Sequence, residues 1–338
     1  MPDIAYQYRG SLVDQIHRGH IVVADHRGRI LWQWGDPGRL TFARSAAKPI
    51  QAIPVIESGA ADRFGVTDEE LAVICASHNG EPIHIQTVEG LLAKAGLGPE
   101  QLRCGAEYPM YVPAEDALKK AGEPRKAIYC DCSGKHAGML LTARHLGEAL
   151  DSYDQPLHPV QARITAALLD VCGSFAAELH TAIDGCGVPV HALPLYRFAQ
   201  GYARMSIPDL FPAGRAQAVR RITGVMTENP YMVAGAERIC TYLMEHFGDR
   251  LFCKSGASAF YAIGLKGRGI GIAVKLEDGA SSLIPYVLLR VLYSMEVISA
   301  DELAGLTEYQ DMNIYNNHHT PVGRTELVFH LQPGESGN

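Results

Sequence analysis

Both ends of this 338-residue chain carry short β-type runs, while the stretch between them carries helical periodicity. That distribution removes most fold classes at once. HIVVAD (20–25) and ILWQWG (30–35) are rich in β-branched and aromatic residues and are separated by HRGR, the pattern of a hairpin. Near residue 251 the period shortens again: LFCKSG, SAFYAIGL and GIGIAVKL are short runs divided by glycine turns, and TELVFHL reads as a last strand. Between these ends, PVQARITAALLDVCG, GRAQAVRRITGVMTEN and MVAGAERICTYLMEHFG place apolar residues three and four apart.

A helix from about Ser45 to Ser58 has Gly59 as its stop signal. TDEELAVICASH reads as a capped helix, with Thr67 or Asp68 as the cap and Glu69 and Glu70 at its positive end. A polar loop, SHNGE, and a helix to about Ala95 follow, and an apolar helix covers about 281–299. No internal repeat or low-complexity linker marks a domain boundary. The expectation is one α/β domain, with an antiparallel sheet built from about residues 1–45 and 251–335. Helices would pack on that sheet, and a helical lobe would occupy about 45–250. A cleft between lobe and sheet is where a site is expected.

Charge and composition narrow the function. Lys and Arg total 30 against 37 Asp and Glu, a net −7, which offers no basic face to nucleic acid or to an anionic membrane. The opening MPDIAYQYRGSL has no apolar signal core. The longest apolar run, SLIPYVLLRVLYSM, is broken by Arg290 and falls short of a bilayer span. A cytoplasmic, reducing setting is expected. There the eight cysteines (Cys75, Cys104, Cys130, Cys132, Cys172, Cys186, Cys240 and Cys253) serve as free thiols, metal ligands or core fillers, because a chain this long needs no disulfide framework.

ARSAAKP (43–49) is the first chemically pointed stretch. On a helix, residues three apart are neighbours, so the Lys48 amine can reach the Ser45 hydroxyl, and Pro49 is tolerated in a first turn. A lysine acts as a base only where burial or a neighbouring cation lowers its pKa. SHN (77–79) then supplies a Ser-x-Asn triplet after a helix, and KSG (254–256) a Lys-Ser-Gly triplet on a strand. The order S-x-x-K, S-x-N, K-[ST]-G matches the set found in serine β-lactamases and penicillin-binding proteins. In that arrangement Ser45 attacks a carbonyl carbon and Lys48 takes its proton. Ser77 and Lys254 form a second Ser–Lys pair, Lys254 helps keep Lys48 neutral, and backbone N–H groups including that of Ser45 hold the oxyanion.

Seven blocks in order, ARSAAKPIQ, CASHNGEPIH, CDCSGKHAGML, HPVQ, DGCGVP, ENPYMVAGAER and KSGASAFYAIG, resemble the asparaginase II family, the rhizobial, thermolabile type of bacterial L-asparaginase. The resemblance extends over about residues 8 to 330. The resemblance implies a serine β-lactamase- or glutaminase-like fold, a homodimer, and hydrolysis of L-asparagine to L-aspartate and ammonia. By matching motif positions it implies Ser45, Lys48, Ser77 and Lys254 as the catalytic group. It also implies a zinc site on Cys132, Lys135 and Cys186.

The residues themselves leave the metal open. Two thiolates suit zinc, but a lysine ligand must be neutral, and His136 or Cys130 would replace Lys135 on chemistry alone. Its role is either to poise substrate or to hold two loops together. Arg44, His78 and Asn79 are candidates for substrate binding, as neighbours of the two serines. Four rivals remain. They are a glutaminase, one methylene away in substrate; a penicillin-binding or β-lactamase activity; a zinc-dependent hydrolase; and a catalytically silent binding protein.

Overall fold

In the computed structural model, which describes residues 1–334, strands from the two chain ends interleave in one antiparallel sheet. β1 (Asp3–Arg9) and the long β2 (Leu12–Asp25) pair across a tight turn, and β3 (Ile30–Trp34) returns along the far half of β2 as the HRGR signal predicts. β4 (Leu40–Phe42), β5 (His180–Ile183) and β6 (Pro189–Pro194) form a separate small sheet, ordered β4-β6-β5. β7 (Leu251–Gly256), β8 (Phe260–Leu265) and β9 (Ile270–Leu276) make a meander. β10 (Asn313–Tyr315), β11 (Pro321–Leu327) and β12 (Gln332–Pro333) complete the set.

The main sheet runs β10-β11-β1-β2-β9-β8-β7, with β3 also on β2 and β12 on β3. β2 joins the two ends of the chain. Its first residues pair with β1, whereas Gly19–Asp25 pair with β9. HIVVA (20–24) is buried throughout, as expected of a strand covered on both faces. The helix Leu195–Met205 lies across β9 so closely that a Cβ at Gly271 would sit 2.0 Å from the Ala199 carbonyl oxygen. Only glycine permits that approach.

Four sequence expectations need amending. The helix from Ser45 to Ser58 is three pieces: a 3-10 turn (Arg44–Ala47) and short helices Lys48–Gln51 and Ile53–Glu57. Pro49 and Pro54 each enter near the start of a piece, where a missing N–H costs least. Gly59, at φ +83, does end the run. MVAGAERICTYLMEHFG is not one helix, because Gly235 (φ +102) and Glu237 (φ +60) separate Pro230–Val233 from Ile239–Phe247. The strand at TELVFHL begins four residues earlier, at Pro321, and stops at Leu327, and the short β12 rather than this strand comes last. The region of the helical middle also contains β5 and β6, whose short runs carry too few residues to display a period. Thr67 caps Asp68–Ile74 through a reciprocal box with Glu70. Among the described residues no helix is long and apolar enough to cross a membrane.

Candidate active site

Three separate elements bring the polar triplets to one place. The loop after the capped helix Asp68–Ile74 carries Ser77, whose N–H donates to the Val233 carbonyl. β7 carries Lys254. The chain leaving β4 turns sharply at Arg44, a non-glycine residue at φ +51, and enters the 3-10 turn that carries Ser45. A left-handed conformation there is disfavoured by sterics, and the Arg44–Asp184 ion pair at 2.7 Å pins it. β7 meets this turn edge to backbone: a Cβ on Gly256 would lie 2.5 Å from the Ala43 carbonyl oxygen. The glycine of the KSG triplet is therefore what lets Lys254 and Ser45 approach.

Ser77 Oγ sits between two buried lysine side chains, at 2.9 Å from Lys48 Nζ and 3.1 Å from Lys254 Nζ. Lys48 is 1 % exposed and Lys254 fully covered, so their charges interact with little solvent screening. Lys48 makes two further contacts, to the Asp131 carbonyl at 3.2 Å and its carboxylate at 3.4 Å. Ser45 lines the same cavity of about 440 Å³ as Ser77, Asp131, Arg238 and Ser255. Lys48 does not direct its amine to Ser45 as the S-x-x-K spacing predicts. Its partners are Ser77 and Asp131.

Burial divides the two lysines. It pushes Lys254 down to about 8 against the attraction of the Cys240 sulfur, and the Lys48 and Arg238 charges add to the push. Burial acts on Lys48 too, but the Asp131 carboxylate and then the Cys132 thiolate outweigh it, leaving Lys48 above the ordinary lysine value. The expected direction of influence is reversed. Lys48 keeps its proton and depresses Lys254, which makes Lys254 the amine suited to accept a proton near neutrality.

Beside this cavity lies a smaller one of about 240 Å³, also reached by Ser45 and Asp131 and lined by Cys132 and Cys186. Lys135 Nζ is 3.0 Å from Cys186 Sγ. Hydrogen bonds from Cys130 and Cys186 hold the Cys132 thiol well below its ordinary value. Burial opposes the charge on Lys135, yet the Cys132 and Cys186 sulfurs hold it above its usual range. The two cavity-lining sulfurs, with the Lys135 amine against Cys186, fit zinc by donor type. Cys130, Asp131 and Cys132 also offer donor atoms within 4.8 Å of one another, which widens the set. His136 turns its Nδ1 to the Tyr153 hydroxyl at 2.8 Å, and burial keeps it neutral.

The three residues expected to touch substrate have other partners. Arg44 is committed to Asp184. His78 is fully buried and neutral; its Nδ1 accepts from the Gly80 N–H and its Nε2 faces Ser133 Oγ at 2.9 Å. Asn79 is buried, donating to the Ala236 carbonyl at 2.8 Å and accepting from Arg238 at 3.0 Å. Sequence reading missed Asp131, the counter-charge of Lys48, and Arg238, which lines the cavity. Asp131 stands between two cysteines in CDCSGK, where the thiols carry the signal, and Arg238 falls in a stretch whose apolar spacing reads as unbroken helix.

The fold has loose counterparts among solved structures. The crystal structure of Mglu is similar at a TM-score of 0.39 and 16% identity, over 84% of this chain and 68% of that one, so this chain spans about two thirds of its length. A β-lactamase from Mycobacterium bovis is similar at a TM-score of 0.44 and 16% identity, over 82% of this chain and 94% of that one. None of the curated proteins matches. The family model described as L-asparaginase II matches residues 5–327, nearly the whole sequence. Every one of the seven motif blocks lies inside that span, and the chain belongs to the L-asparaginase II family, whose members are asparaginase-type amidohydrolases.

Proposed function

We propose that the chain is an L-asparaginase that hydrolyses L-asparagine to L-aspartate and ammonia through a seryl ester on Ser45. The observation that supports this most is Ser77 Oγ, held between Lys48 and Lys254 in the wall of a cavity that Ser45 shares. Ser45 Oγ attacks the side-chain carboxamide carbon as its proton passes toward Ser77 and on to neutral Lys254. The same proton returns to the leaving nitrogen, and the C–N bond breaks to release ammonia. Water then attacks the β-aspartyl ester, with the Ser77–Lys254 pair accepting its proton and returning one to Ser45 Oγ. Lys48 stays cationic, orients Ser77 and steadies the negative charge that develops nearby.

Zinc held by Cys132, Lys135 and Cys186 would supply a positive charge that polarises or positions a substrate carbonyl. Lys135 must lose its proton to join that set. We also carry forward a homodimer: Leu12, Val13 and Ile16 are exposed on β2, and light scattering that returns the mass of one chain removes this part of the reading.

Ammonia release by the purified protein, measured with L-asparagine and L-glutamine side by side, tests the proposal. Turnover of asparagine in excess of glutamine is expected. Preference for glutamine moves the reading to a glutaminase, and no ammonia from either removes it.

A further inference from the structure

We propose that Arg238 and Glu237 form a zwitterion clamp, the guanidinium taking the α-carboxylate and Glu237 the α-ammonium of a small amino-acid amide. This rests on the amidohydrolase reading and names how the same cavity recognises its substrate class. The two residues are adjacent, opposite in charge, and both line the cavity that holds Ser45 and Ser77. Among the described residues neither has an oppositely charged group within 4.0 Å. The Arg238 guanidinium is half-buried at the cavity and has no protein counter-ion, which leaves its charge available to an anionic ligand. Only Nη1 of Arg238 finds protein partners, Asn79 Oδ1 at 3.0 Å and Met110 Sδ at 3.8 Å. That leaves Nε and Nη2, the edge suited to a bidentate carboxylate, directed at no protein group.

The loop is held too firmly for an idle surface turn. Glu81 accepts from the Ala236 N–H at 3.0 Å, Asn79 donates to the Ala236 carbonyl at 2.8 Å, and Thr241 donates to the Gly235 carbonyl at 2.7 Å. Glu237 itself sits at φ +60, where non-glycine residues are uncommon. This bracing fixes the clamp in the wall of the cavity that Ser45 and Ser77 line. Asn79, which holds Arg238, is two residues from Ser77 in sequence, and Glu237 and Arg238 line one cavity with Ser45 and Ser77. A substrate in that cavity has its amide carbon toward Ser45 and its α-carbon toward the clamp. Asn79 thereby becomes a positioning residue for Arg238.

The test compares kcat/KM, by ammonia release, for L-asparagine, for L-aspartic acid diamide (no α-carboxylate) and for succinamic acid (no α-ammonium). It uses wild type, Arg238→Met, Arg238→Lys and Glu237→Gln. Arg238→Met should lose about 10- to 100-fold on asparagine, the size of a charge-assisted hydrogen bond, and not on the diamide. Glu237→Gln should lose on asparagine and not on succinamic acid. Arg238→Lys, which keeps the charge without the fork, should fall between wild type and Arg238→Met, and it serves if the methionine variant does not fold. Equal losses on all three substrates would show that Arg238 acts only by supporting Asn79, and would overturn the clamp. So would an undiminished preference for asparagine in Arg238→Met. A wild type that makes no ammonia from asparagine overturns the amidohydrolase reading and the clamp together, whereas active wild type with unselective variants overturns the clamp alone.

Discussion

Lys254 shows why charge state has to be worked out from three-dimensional neighbours. Its pKa is brought to about 8 by burial first, with Lys48 and Arg238 assisting, so the neutral amine becomes available as pH rises through that value. kcat/KM for asparagine should therefore climb along a limb centred near pH 8. Lys254→Met should lose that limb together with about 10²–10⁴ of the rate, the usual worth of a positioned acid–base group. The linkage sign follows. The folded value lies below the unfolded 10.5, so between about pH 8 and 10.5 the unfolded chain binds more protons and stability rises with pH. Chemical denaturation across that window should show a smaller rise in Lys254→Met. The S-x-x-K, S-x-N and K-S-G spacings brought out the four candidate residues, because each motif is local. Which lysine loses its proton was not legible, since Asp131, the group that holds Lys48 charged, lies 83 residues away in sequence.

Elements carry these residues to their places through a few contacts that can be altered singly. Gly256→Ala would drive a methyl against the Ala43 carbonyl at 2.5 Å, forcing β7 away from the turn that presents Ser45. Stability should fall by about 1–3 kcal/mol, as for other overpacked sites, and turnover should fall further than stability explains, measured by thermal unfolding beside ammonia release. Thr67→Ala removes the cap of the helix leading to Ser77 and should cost about 1 kcal/mol in the same unfolding assay. TDEE put the cap at Thr67 or Asp68, and the reciprocal bonds between Thr67 and Glu70 fix it as Thr67. The break at 234–238 was not, because apolar spacing runs straight through MVAGAERICTYL and only the backbone reveals Gly235 and Glu237 in the left-handed region. The residues concealed by that false helix are the ones that face the cavity.

At the scale of the molecule, the joining of both chain ends in one sheet decides whether a site exists. β1 pairs with β11 in a register that sets Ala5 opposite Leu327, and β2 pairs with β9. Residues more than 170 positions apart, Ser77 and Lys254, are then held at 3.1 Å. Strand-rich ends made the sheet legible. The order of strands was not, since β-type runs do not name their partners. The neighbouring thiol pocket adds a separate expectation: metal analysis of purified protein should find bound zinc, and Cys132→Ser should lower its content. The account's central claim is that Ser45 shares one cavity with a Ser77 hydroxyl held between Lys48 and Lys254, and that together they cleave an amide. Its most direct test is ammonia release from L-asparagine by wild type beside Ser45→Ala and Ser77→Ala, with folding checked by circular dichroism. Both variants should fold as wild type does, and Ser45→Ala should make no ammonia above background, with Ser77→Ala strongly slowed. A folded Ser45→Ala protein that turns over asparagine at the wild-type rate would contradict the account.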